Sequence, residues 1–173
     1  MRSEAILAIR QFYSEEWELY KKLRLDSLIE SPDAFGSTFT GENCRQNFEW
    51  KQRFHTGINS ATDMPLLAEY DCQYSGLLWG KSDKDNIRVA NLYQMWVNPK
   101  FRGQGVGLAL LENIRHWACS IGCHSLQLSV AINNGRAYHF YKAFGFKDFG
   151  DTEPLRVGSH IEIQPMKLEL DNA

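Results

Sequence analysis

A chain of 173 residues with 19 Lys and Arg against 21 Asp and Glu carries a formal charge of only −2 at pH 7. Its charges are scattered rather than blocked, which argues against a nucleic-acid groove and a polybasic membrane patch and leaves small-molecule chemistry as the default. With 43% apolar residues, the length suffices for one domain with a core of its own and requires no disulfide or metal staple.

The first residues, MRSEAILAIRQFYSEEWELY, hold a short apolar run broken by Arg10 and followed by acidic residues, unlike a signal peptide. No segment reaches the length of a membrane span. Cys44, Cys72, Cys119 and Cys123 follow no disulfide spacing, so a reduced, cytoplasmic protein is expected.

Residues 5–13 read as a first strand, and residues 15–30 as a helix with Trp17, Tyr20, Leu23 and Leu28 at roughly helical spacing, stopped by Ser-Pro-Asp. Residues 34–56 are less regular. They hold Phe35, Phe39, Phe48, Trp50 and Phe54, and a second helix is expected to begin near Thr40 or Gly41. These aromatics are candidates for an acceptor pocket, with core cover the ordinary explanation for most of them.

Two strands, residues 64–71 and 74–82, join through a tight connection at Cys72 and Gln73, and a polar turn leads into a longer strand over residues 87–97. Beyond the glycines at 103, 105 and 107, Val106, Leu110, Ile114, Trp117 and Ile121 share a helical face, with Gly122 as the stop. Residues 126–130 alternate as a strand. A short helix over residues 134–144, capped by Gly145, and two closing strands ending near Leu170 complete the pattern. This order implies a layered α/β sheet, antiparallel at its start, with a crossover through the glycine-led helix.

The turn NPKFRGQGVGLALLE needs a reason for three glycines at a helix start, each costing up to about 1 kcal/mol against alanine. A strand, a glycine turn and a helix N-terminus expose free backbone N–H groups and the positive end of the dipole, which suits a phosphate, and Arg102 adds a fixed positive charge. A P-loop is excluded, because Leu108 follows Gly107 where Lys and Ser or Thr are required. A dinucleotide fingerprint fits poorly, since its glycine spacing differs and no acidic residue lies about twenty positions on. A flexible helix start without a ligand stays open on this stretch alone.

Arg102, Gly105 and Gly107, after the strand end MWVNPKF, resemble the pyrophosphate loop of the GCN5-related N-acetyltransferase (GNAT) superfamily, and NNGRAYHFYKAFGF is similar to its later motif through Asn134, Ala137, Tyr141, Gly145 and Phe146. The resemblance covers nearly the whole chain. It implies a single-domain mixed sheet of about seven strands flanked by helices, with splayed fourth and fifth strands forming a coenzyme A cleft. It further implies that the backbone of Met95, Trp96 and Val97 pairs with the pantetheine arm of acetyl-CoA, that residues Gly103, Gln104, Gly105, Val106, Gly107 and Leu108 hold its pyrophosphate, that Asn134 and Ala137 flank the arm, and that Tyr141 is the general acid. Without that motif, a packed core tyrosine is the ordinary reading of Tyr141.

The expected activity is transfer of an acetyl group to a primary amine of a small molecule or peptide by direct attack, the rival being a non-catalytic acyl-CoA-binding module. A lysine-like amine is only about one part in two thousand neutral at pH 7, so its proton needs an acceptor. Many relatives offer a glutamate where this chain has Gln94 and Ser129, neither of them a base. Glu69 and, more weakly, His160 are substitutes. His116, Cys119, Cys123 and His124 match no common zinc spacing, Glu112 and His116 can pair on the helix surface, and no metal is expected. A homodimer stays open.

Overall fold

The computed structural model describes residues 5–170, and at its centre lies one mixed sheet. Alternation along each strand lets that sheet bury both faces. On β2 (Asp63–Tyr70), Leu66 and Ala68 join the core on one side and Leu67 the core on the other, all at most 4% exposed. β1 (Leu7–Gln11), β2, β3 (Gln73–Ser82) and β4 (Val89–Val97) run antiparallel in sequence. β4 then pairs in parallel with β5 (Ser125–Ala131), which is flanked by antiparallel β8 (Glu162–Glu169). The two-residue strands β6 (Lys147–Asp148) and β7 (Glu153–Pro154) also pair with β8. The sheet therefore has eight strands, and the closing segment has three where the sequence pattern suggests two.

One face is covered by α4 (Val106–Ser120), whose Leu110, Leu111, Ile114 and Trp117 pack on Leu78, Ala90, Leu126 and Met166. The expected Ile121 is instead the residue that ends this helix and is 37% exposed, while Leu111 is fully buried. The other face carries α1 (Trp17–Glu30), α2 (Phe39–Asn43) and α3 (Asn47–Ile58). There Phe12, Tyr20, Trp50 and Phe54 form an aromatic cluster, Tyr20 lying 5.4 Å from Phe54 and 5.9 Å from Trp50 between ring centres. α5 (Gly135–Phe144) follows β5.

The segment read from sequence as holding one helix has two, because it carries two starts. Thr38 caps α2 by accepting from the Gly41 amide at 3.2 Å, and a reciprocal Gln46–Glu49 capping box opens α3. Of its aromatics, Trp50 and Phe54 are core and Phe48 is 68% exposed.

The site depends on a fault in the sheet. β4 and β5 pair only at Val89, Ala90 and Asn91 with Ser125, Leu126 and Gln127. Further along, β4 carries one residue more than β3 between the Tyr93–Trp79 and Trp96–Leu77 pairs, and Gln94 there adopts φ 59°. Such a bulge bends its strand and increases its twist, so the ends of β4 and β5 diverge. On the other side β4 is pressed against β3: a Cβ on Gly76 would lie 2.6 Å from the Trp96 carbonyl oxygen, so only glycine fits.

A candidate active site in the sheet gap

After β4, Asn98 caps a short turn at Pro99–Phe101 by accepting from the Lys100 amide at 3.0 Å. The chain then enters the left-handed region at Gly103 (φ 77°) and Gly105 (φ 84°), and Gly105 is the residue that opens α4. That conformation costs an L-residue about 1–2 kcal/mol. No side chain caps α4, so its first amides have no side-chain acceptor and carry the positive end of the dipole. A Cβ on Gly103 or Gly105 would meet nothing within 4 Å, so the space before the turn is open.

That space belongs to a cleft of about 450 Å³ lined by Met95, Trp96, Val97, Arg102, Gly103, Gly105, Val106, Gly107, Leu108, Asn134, Ala137 and Tyr141. Of the expected cofactor residues only Gln104 is outside it; its side-chain amide donates back to the Lys100 carbonyl at 3.0 Å. Arg102 lines the cleft, and its charge is paired. Its Nη2 donates to Glu30 at 2.6 Å and its Nε to the Val97 carbonyl at 2.9 Å, while Trp96 Nε1 donates to the same Glu30 oxygen at 2.9 Å. Burial alone would raise the Glu30 carboxyl, but the bonds from Arg102, Ser31 and Trp96 outweigh it and hold the group below the usual carboxylate range. Glu30 thus ties the end of α1 to the loop. The exposed cation on the cleft wall is Arg136, in the first turn of α5, which the sequence reading passed over although it lies within the Asn134 motif.

α5 is fixed at both ends. Asn134 Oδ1 accepts from the Ala137 amide at 3.2 Å, and Gly145 (φ 118°) ends the helix as its own amide and that of Phe146 donate to the Tyr141 carbonyl. Tyr141 packs edge-on against Phe146, with ring centres 5.8 Å apart. Among the described residues its hydroxyl reaches only Met95 Sδ, at 3.4 Å, and a thioether is a weak acceptor. Burial pushes its phenol well above the ordinary value. An ordinary core tyrosine has a firm partner; this one is a neutral donor without one.

A second cleft, of about 500 Å³, meets the first at Ala34 and Phe35, which line both. Arg24, Asn91, Tyr93, Gln94, Gln127 and Ser129 contribute to its wall, and no Asp or Glu among the described residues does. Gln94 Oε1 accepts from the Tyr20 hydroxyl at 2.8 Å. Phe35 was among the aromatics weighed for an acceptor pocket; Arg24 was missed. The signal for it was spacing: Tyr20, Arg24 and Leu28 stand four apart, so Arg24 shares the buried face of α1.

The other candidates lie elsewhere. Glu69 is paired with Arg10 at 2.6 Å at the β1 side of the sheet, and neither it nor His160 lines either of these two clefts. Glu112 pairs with Arg115 at 2.6 Å, not with His116 as expected. Among the described residues no three His, Cys, Asp or Glu side chains gather where they could hold a metal ion, and no helix is long and apolar enough to cross a membrane. A hollow of about 630 Å³ holds His116 and Cys119 between α4, α5 and the end of β8, and it adjoins the first cleft at Leu108 and Phe140.

The sequence profile of the Acetyltransferase (GNAT) family matches residues 9–146. A thialysine N-epsilon-acetyltransferase from Bos taurus is 37% identical over 68 residues, 39% of this chain, and the match spans only 38% of that protein's length. Among solved structures, an acetyltransferase of the GNAT family from Streptococcus pneumoniae superposes with a TM-score of 0.80 at 24% identity, over 95% of this chain and 99% of that one. The spermidine N-acetyltransferase from Vibrio cholerae, in complex with CoA and spermine, gives 0.78 at 16% identity, over 96% of each chain. These structural likenesses establish the fold, and the profile match covers most of the sequence: the chain belongs to the acetyltransferase (GNAT) family, whose members are acetyl-CoA-dependent N-acetyltransferases.

Proposed function

We propose that this chain acts as one catalytic domain that acetylates a primary amine from acetyl-CoA by direct attack, with Tyr141 as the general acid. The observation that carries the reading is the meeting, on one cleft, of uncapped helix-start amides, the diverging end of β4 and a half-buried phenol whose only partner among the described residues is a thioether. The cleft suits coenzyme A: the open space before Gly103 and Gly105 lets backbone amides approach a pyrophosphate, and the end of β4, unpaired with β5, can bond an amide-bearing arm.

Acetyl-CoA, when bound, supplies the acetyl thioester. Gly105, Val106 and Gly107 hold its anionic end through backbone N–H groups, and Arg136 adds charge at the mouth. Arg102 serves by keeping the loop in shape, since Glu30 already neutralises it. Tyr141 donates its proton to the sulfur as the thiolate leaves, a role that needs a phenol still protonated at neutral pH, as burial ensures. The amine approaches from the second cleft past Phe35, and a water held by Gln94 and Ser129 relays its proton to bulk solvent.

The test is free-thiol release from acetyl-CoA across a panel of amines, with Tyr141→Phe in parallel and calorimetric CoA binding for both proteins. Acetylation that Tyr141→Phe lowers about 10²- to 10⁴-fold in kcat at unchanged CoA affinity supports the reading. CoA binding without turnover of any amine favours a binding module instead.

A further inference from the structure

Arg24 is 4% exposed, yet no carboxylate pairs with it among the described residues. Its Nη1 lies 3.4 Å from Ser27 Oγ, and its guanidinium carbon sits 4.6 Å from the centre of the Phe35 ring. The Ser27 hydroxyl gives its own proton to the Arg24 carbonyl at 2.7 Å, so one long contact to a lone pair is the guanidinium's only hydrogen bond among the described residues. Glu42, the carboxylate whose charge reaches Arg24, is already held by Arg45 and Arg53 at 2.9 Å each. Burying an arginine without a counter-charge is strongly unfavourable, and arginine does not escape by losing its proton.

The cation lines the second cleft. The polar residues beside it, Asn91, Gln94, Gln127 and Ser129, are neutral, so Arg24 is the single charge in that wall among the described residues. A polyamine brings further positive charge to a wall that is already positive. A carboxylate brings the missing counter-ion, in the planar two-oxygen form that a guanidinium fork binds best.

Resting on the acetyltransferase reading above, we propose that the acceptor is an amino-acid-like molecule, a small amine that also bears a carboxylate, with the carboxylate on Arg24 and the amine turned past Phe35 toward the first cleft. Arg24 thereby sets acceptor specificity, and diamines and polyamines are poor substrates.

The test is calorimetric titration of the CoA-saturated protein with matched pairs that differ in the carboxylate: L-lysine with cadaverine, L-phenylalanine with phenethylamine. At least one carboxylate-bearing member binds about tenfold or more tighter than its partner. Arg24→Gln abolishes the preference and Arg24→Lys retains part of it, with CoA affinity and thermal melting as folding controls. Should those variants not fold, Gln127→Glu keeps Arg24 and adds a carboxylate to the same wall, and it weakens the carboxylate-bearing member selectively. Equal affinities within every pair, no detectable binding of any carboxylate-bearing member, or a preference that survives Arg24→Gln overturns the inference. Thiol release on the same pairs separates the two readings. Acetylation without regard to the carboxylate keeps the enzyme and removes the specificity, whereas carboxylate preference without acetylation of any amine removes the enzyme and keeps the anion site.

Discussion

Replacing Gly105 with alanine probes the turn on which the cofactor assignment rests. Gly105 has φ 84°, and a Cβ there would meet nothing within 4 Å. The folding cost is therefore conformational alone, about 1–2 kcal/mol for an L-residue in that region. In a chain of this size that amounts to roughly 2–8 °C in melting temperature. The cost in binding is separate, because the new methyl projects into the space where backbone amides would meet a phosphate. Losing one charge-assisted hydrogen bond of about 1.5–3 kcal/mol weakens CoA about ten- to hundredfold. Thermal melts combined with calorimetry of CoA and of pantetheine, which lacks the pyrophosphate, separate the two effects. The variant melts earlier, loses CoA affinity and keeps its affinity for pantetheine. Equal weakening of both ligands, or undiminished CoA binding, refutes the anion site at this turn, and an unchanged melting temperature refutes the strained backbone.

Burial raises the Tyr141 phenol above its ordinary value of about 10, so kcat shows no fall attributable to this group between pH 8 and pH 10. An alkaline limb within that range that vanishes in Tyr141→Phe would contradict the assignment. Glu30→Gln removes the anion that holds Arg102 and costs about 1 kcal/mol at neutral pH, since both side chains are only about 30% exposed. The Glu30 carboxyl is depressed in the folded state, so its contribution is fully present above the unfolded carboxylate value of about 4.3 and is lost as pH falls through the lower folded value. Wild-type and variant stabilities in denaturant melts accordingly differ at pH 6 and converge in acid; a gap that stays constant down to pH 2 refutes the linkage. Gly76→Ala forces a Cβ against the Trp96 carbonyl oxygen at 2.6 Å and lowers stability by about 2–3 kcal/mol, roughly 4–12 °C by calorimetry.

What was legible in the sequence follows from how far each signal reaches along the chain. The glycine turn, α4 and the Asn134 to Phe146 motif are local patterns; the structure brings the turn without Gln104, the first residues of α4, and Asn134, Ala137 and Tyr141 to one cleft, while Phe146 is core. Helix limits were read less well where a side chain decides them. Thr38 and Gln46 divide one expected helix in two, whereas α1 begins at Trp17, two residues later than expected, with no side-chain cap at Glu16. Contacts between distant residues left no trace. Arg102 meets Glu30 across 72 positions, a tie between α1 and the glycine turn that no local pattern announces. The bulge at Gln94 places a non-glycine residue at positive φ, and nothing in the local composition announces that. Arg24 was hidden for a different reason: in a helix pattern an arginine counts as polar surface, and only the packing of α1 against the sheet shows it to be buried without a counter-ion.

The short parallel pairing between β4 and β5 also has a mechanical consequence. The sheet consists of two plates, β1 to β4 on one side and β5 with β8 and its short partners on the other, stitched by three residue pairs and braced by α4. Among the long strands the shortest seam thus lies in the interior of the sheet and not at its rim, where β1 pairs with β2 at five positions. A molecule lying across the opening acts as an added stitch: whatever free energy it gains by touching both plates goes directly into their cohesion.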